Sequence, residues 1–120
     1  MIFSKSKNFY STVHITGPTH NLLVVKLVKS NAEIQPTIKM LPPAGSCGRG
    51  TPDANKVLIN VVEGLSAANA EFGTNYRVTE IRFVEDDSPN EAVYAYSIRK
   101  LIEHIENGGE LSVSIHGDDE

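Results

Sequence analysis

Apolar and polar residues alternate from Phe9 to Thr16. Phe9, Val13 and Ile15 fall on one face and Tyr10, Thr12, His14 and Thr16 on the other, which predicts an amphipathic strand. Gly17 and Pro18 punctuate the chain, and Leu22 to Val28 follows as a run apolar on both faces and broken only by Lys26. A strand covered on two sides, central in its sheet, has this pattern. After the polar turn Lys29 to Ala32, Ile34, Pro36, Ile38 and Met40 alternate with Glu33, Gln35, Thr37 and Lys39. Pro36 has no N–H to give to a ladder, so this third strand is expected at an edge or at a bulge.

The period then changes. Pro42 to Gly50 is a proline- and glycine-rich loop, and Thr51, Pro52 and Asp53 supply an N-cap, a first-turn proline and a carboxylate for the positive end of a helix dipole. Ala54, Val57, Leu58, Val61, Val62, Leu65 and Ala68 recur at helical spacing, and Gly73 stands where a left-handed cap is wanted. The opposite face carries chiefly Lys56 and Glu63, with Asn60 and Gly64 between them, a charge density low enough to predict that something covers it. Tyr76 to Val84 reads as a strand with a change of parity near Thr79 and Glu80, the mark of a bulge.

Ser88, Pro89, Asn90 and Glu91 form a capping-box sequence. Ala92, Ala95, Tyr96, Leu101, Ile102 and Ile105 then make a second helical stripe that stops at Asn107, Gly108 and Gly109. Leu111, Val113 and Ile115 alternate with Ser112, Ser114 and His116 as a last strand. The predicted order is β-β-β-α-β-α-β, with residues 1–120 as a single domain. Two apolar helical stripes need one apolar surface, so the expected class is α+β: a mostly antiparallel sheet with both helices, Pro52 to Phe72 and Pro89 to Glu106, on one face.

Composition narrows the class further. With 40% hydrophobic and 22% charged residues, the chain can bury a core and is neither disordered nor membrane-embedded. It holds no apolar run of membrane-spanning length, and Met1 to Lys5 lacks the apolar stretch of a secretory signal. Cys47 is the only cysteine, so no intrachain disulfide is available, and a cytoplasmic, reducing setting is expected. The net charge of −4 is unevenly spread: residues 1–50 carry six basic side chains against Glu33 alone, a balance of +5, and the remainder carries −9. The expected partner is protein, or a second copy of the chain, rather than nucleic acid, with Lys26, Lys29, Lys39, Asn60 and Gly64 as the candidate interface.

The sequence Ser88, Pro89, Asn90, Glu91, Ala92, Val93, Tyr94, with the strand before it, resembles the start of the second helix in domain four of elongation factor G. The likeness spans Tyr76 to Ile105, and the strand and helix order is similar too. It implies a fold rather than a function, because this sequence has no nucleotide-binding module and ends acidic.

Candidate chemistry centres on Ser46, Cys47, Gly48, Arg49, Gly50 and Thr51, which precede a helix N-terminus, where free amides and the dipole favour an anion. Thr51 and Pro52 stand where a Walker loop needs lysine and a hydroxyl residue, so the loop is not of that type. Cys47 at the same place could have a lowered thiol pKa, yet no histidine is tied to it by spacing. Glu85, Asp86, Asp87 and Glu91 match no calcium loop, and His14, His20, His104 and His116 match no zinc spacing, so no metal and no cofactor is expected. A non-catalytic binding protein is therefore the leading expectation, and a small enzyme or anion-binding domain built on Gly45 to Thr51 is its rival.

Overall fold

A computed structural model of the chain describes residues 2–16, 19–41, 53–84 and 91–113, with backbone alone at 14–16, 19–20 and 112–113. In chain order the elements are β1 (Ile2–Ser6), β2 (Phe9–Thr16), β3 (Thr19–Lys29), β4 (Thr37–Leu41), α1 (Ala54–Phe72), β5 (Tyr76–Val84), α2 (Ala92–Glu106) and β6 (Ser112–Val113). They build one sheet in the order β4-β5-β3-β2-β1-β6. Pairings β1–β2, β2–β3 and β3–β5 are antiparallel, whereas β4–β5 and β1–β6 are parallel. The fold is α+β, as the patterning predicts, with one strand more than expected. β1 escapes the sequence reading because it alternates only Ile2 and Phe3 with serine and lysine, and its pairing partner β2 supplies the apolar surface that holds it.

Both helices lie on one face of the sheet. Leu23, Val25 and Leu27 of β3 and Val78, Ile81 and Phe83 of β5 form a buried cluster with Val57, Val61, Leu65 and Ala68 of α1 and Tyr94, Ile98, Leu101 and Ile102 of α2. A single β-strand can feed one face with both Val78 and Ile81 only if its alternation is broken. The register shows the break, with Lys26 opposite Glu80 and Leu27 opposite Val78, which leaves Thr79 as the extra residue of a bulge where the sequence parity changes. In α2 the buried stripe runs through Tyr94 and Ile98, whereas Tyr96, expected inside, is 48% exposed. Tyr94, Ile98, Leu101 and Ile105 keep the four-three-four spacing of one helical face, and Tyr96 falls off it.

Two further expectations are corrected. The polar side of β2 faces the helices: Thr12 is fully buried, with no partner for its hydroxyl among the described residues, and Asn21 of β3 donates from Nδ2 to the Tyr94 hydroxyl at 3.2 Å in the same layer. Phe9, on the side without helices, is nevertheless buried, because the Arg82 guanidinium lies 4.3 Å from its ring centre and the Lys26 ammonium 5.9 Å. Long cationic side chains thus cover the apolar residue that a third layer would otherwise have to cover.

Ser30 to Pro36 carries the chain from β3 across the start of β5 to the far edge. Ser30 donates its backbone N–H to the Asn75 carbonyl at 3.0 Å, Asn75 donates to the Asn31 side chain at 3.1 Å, and Arg77 Nε donates to the Ala32 carbonyl at 3.1 Å. Pro36 ends this crossing, and the β4–β5 ladder starts at Thr37, so the edge position expected from proline is observed.

Candidate functional site

At the start of α1 the structure decides which acid does the capping. Asp53 is the N-cap, and its carboxylate accepts from the backbone amides of Asn55 at 2.9 Å and Lys56 at 3.3 Å. Thr51 is therefore not the cap, since α1 begins two residues beyond the expected start. The capping box of Ser88 to Glu91 lies outside the described residues except for Glu91, whose carboxylate accepts the Asp53 backbone N–H at 2.8 Å. Three amides at this helix end are thus bonded to two carboxylates, whose negative charge opposes an anion beside them. The loop residues Ser46, Cys47, Gly48, Arg49, Gly50 and Thr51 lie outside the described residues, as do Glu85, Asp86 and Asp87.

The five candidate interface residues do not share one surface. Lys26 and Lys39 lie on the face without helices, each in register with β5, at Glu80 and Arg82 respectively. Lys29 lies on the helix side, with its ammonium 5.3 Å from the Tyr76 ring centre. Asn60 donates from its side chain to the Lys56 carbonyl at 2.8 Å. Gly64 is buried against α2: a Cβ there would stand 2.6 Å from the Ala95 carbonyl oxygen and 2.9 Å from its Cα. The weak charge of this helix face thus has an intramolecular reason, because α2 covers it at Gly64.

Among the described residues there is no group of three or more side chains that could hold a metal, and no helix is long and apolar enough to cross a membrane. His104 is the histidine whose side chain is described. It stacks on Phe3 with ring centres 4.3 Å apart, and its Nε2 lies 2.7 Å from the Glu110 carbonyl oxygen. These contacts fix the end of α2 against β1. Tyr76 shows the clearest displaced titration. Burial first, and then donation to the Glu106 carboxylate at 2.9 Å, push its hydroxyl up to about 12. On the surface, Glu71 holds the Arg99 guanidinium above its ordinary value through a two-pronged bond that links the helices, and Lys100 holds Glu103 below the usual carboxylate range. None of these groups lines the groove described next.

A groove of about 530 Å³ lies between α1 and the segment Glu33 to Pro36. Leu65 and Val78 form its floor, Leu58, Ile59 and Val62 its helical wall, and Glu33 and Glu63 stand on its two sides. Ile59 is 53% exposed, Val62 44%, and Met40 on the adjoining edge strand 48%. Neither Glu33 nor Glu63 has an ion-pair partner among the described residues. Sequence periodicity passes over this site, because a helical stripe assigns Val62 to the core and ignores Ile59. The overlooked signal is Ile59 itself, an apolar residue adjoining but not belonging to the stripe.

No protein-family model matches the chain, and neither a curated protein nor a solved structure matches it.

Proposed function

We propose that this chain is a non-catalytic binding module whose partner is another protein, and that the groove between α1 and Glu33 to Pro36 is its contact. The carrying observation is the groove itself, with an apolar floor and Ile59 and Val62 exposed on its wall beside an edge strand. Large side chains left in water at a concave, apolar site mark a surface that gains by being covered. With Glu33 and Glu63 on its two sides against Arg77 alone, the groove lacks the excess of positive charge that nucleic-acid phosphates call for, which favours protein. The rival reading, an anion or catalytic site at the start of α1, is weakened by the two carboxylates already bonded to its amides.

A cytoplasmic setting belongs to the same proposal and rests on the lone Cys47. The run β2-β3-β4-α1-β5-α2 supports a likeness of architecture to domain four of elongation factor G, from which no function is taken.

The test compares the whole chain with a variant carrying Ile59→Asp and Val62→Asp, both immobilised and exposed to a lysate of the source cells. The variant should lose the principal proteins that the unaltered chain retains, while its thermal unfolding stays unchanged because both positions are exposed. Identical retained proteins in the two cases would overturn the groove as the contact.

A further inference from the structure

Exposed apolar residues and unpaired charges follow one another along α1 in a self-complementary order. Ile59 and Val62 are about half exposed and stand three residues apart, so they share one face of the helix. Lys56, three residues before Ile59, and Glu63, four after it, run along one flank of that face. Both are exposed, and neither has an ion-pair partner among the described residues. They stand seven residues apart, too far to pair on one helix, where ion pairs form at three or four residues. The order along α1 is thus cation, apolar pair, anion.

We infer that the occupant of this face is a second copy of the chain, packed α1 against α1 in antiparallel fashion about a two-fold axis, an assignment that rests on the groove wall being the contact proposed above. A two-fold interface is self-complementary, since residue i meets residue j wherever j meets i. With Ile59 of each copy against Val62 of the other, the apolar pair closes on itself. The same reversal of direction brings Lys56 of each copy alongside Glu63 of the other. Their offset is two residues, about 3 Å along the axis at a rise of about 1.5 Å per residue. A lysine side chain spans that offset, so two ion pairs form, one on each side of the axis.

The charge of the groove lining names no partner, because Glu33 and Glu63 stand there with Arg77. The order on α1 does. Parallel packing of two copies would set lysine against lysine and glutamate against glutamate, and only the antiparallel pair joins unlike charges at both ends. The net charge of −4 on each copy weighs little against this, because exposed charges further apart than about 8 Å are screened at physiological salt, whereas the paired residues are in contact. One helix pair is a small interface, below the about 1,200 Å² of stable complexes, so the dimer forms with a dissociation constant on the order of tens of micromolar.

The test is sedimentation equilibrium of the whole chain between about one micromolar and about one millimolar, across which such a chain passes from monomer to dimer. Ile59→Asp with Val62→Asp should weaken the dimer more than tenfold, because each carboxylate would enter an apolar seam. Lys56→Glu and Glu63→Lys should each weaken it about tenfold, because either change turns both ion pairs from attraction to repulsion. A chain carrying both reversals should regain the unaltered affinity. Mixed in equal amounts, the two single variants should pair with each other more tightly than either pairs with itself, a rescue that damage to the fold could not produce.

A chain that stays monomeric through about one millimolar would overturn the second copy as occupant, and the lysate comparison would still decide the groove separately. A dimer indifferent to Ile59→Asp with Val62→Asp forms at another face and would overturn the α1 seam. A dimer weakened by that change but by neither reversal, or not restored by the two together, would overturn the antiparallel order.

Discussion

The side-chain amide of Asn69 pairs with the main chain of Tyr76 as a strand neighbour would. Its Nδ2 donates to the Tyr76 carbonyl at 2.9 Å, and its Oδ1 accepts the Tyr76 N–H at 3.1 Å and the Thr74 hydroxyl at 2.8 Å. The Asn69 backbone carbonyl also accepts from Gly73, in the left-handed cap at φ 67°, and from Thr74 at 3.0 Å. One residue near the end of α1 thus fixes the turn and the first pairing of β5. Asn69→Leu keeps the branching and the number of side-chain heavy atoms and removes three side-chain bonds, and should cost about 2 kcal/mol in urea unfolding, with part of the loss arising from unpaired groups at Tyr76. A loss below about 0.5 kcal/mol would show that β5 starts without this clamp.

Gly64 marks the closest approach of the two helices. Because the obstructing atoms are the Ala95 carbonyl oxygen and Cα together with Cγ2 of the buried Ile98, a methyl group at position 64 can be accommodated only by moving α2. Gly64→Ala should therefore destabilise by about 2–3 kcal/mol despite its better helix propensity. Thermal unfolding of the variant measures this directly, and a gain in stability would contradict the packing described.

Thr12 is buried with no partner for its hydroxyl among the described residues. Thr12→Val preserves the shape and removes the unsatisfied group, so stability should rise by about 1 kcal/mol. Chemical denaturation of the pair of proteins checks the sign, and a loss would mean that the hydroxyl is bonded.

Tyr76 makes the fold sensitive to alkali. Its folded pKa of about 12 lies above the ordinary value of 10.0, so the folded state holds the proton more tightly than the unfolded chain. That stabilisation is complete below pH 10 and is lost as pH rises toward 12. Urea midpoints followed across this range should fall more steeply for the unaltered chain than for Tyr76→Phe. Parallel curves would show that the hydroxyl contributes nothing.

Much of this architecture is legible in the sequence wherever one local cause acts alone. Pro36 announces an edge, Gly73 a left-handed cap, and the parity change at Thr79 a bulge, because each reports a backbone requirement that no distant residue can alter. Features set by distant partners are not legible. Thr12 reads as surface because alternation does not say which side of a strand the helices will choose, and α2 chooses the polar one. Gly64 reads as part of a bare face because its reason for being glycine lies on α2. Glu91 reads only as a local cap, and its bond to the Asp53 amide on the other helix is set by a residue 38 positions away. The groove is hidden for the same reason, since its two walls are separated in sequence and meet only through the crossing from β3 to β4.

The bulge at Thr79 also bears on how the length of this chain can drift. Without that residue, Lys26 would still face Glu80 and Leu27 would still face Val78, so the strand would straighten and no side chain would change faces. At a regularly paired position of β5, losing one residue would turn part of the strand inside out. Position 79 is thus a natural site for a one-residue gap. A descendant that had lost it would keep this core, yet in an ungapped alignment one half of its β5 would be out of step with the other.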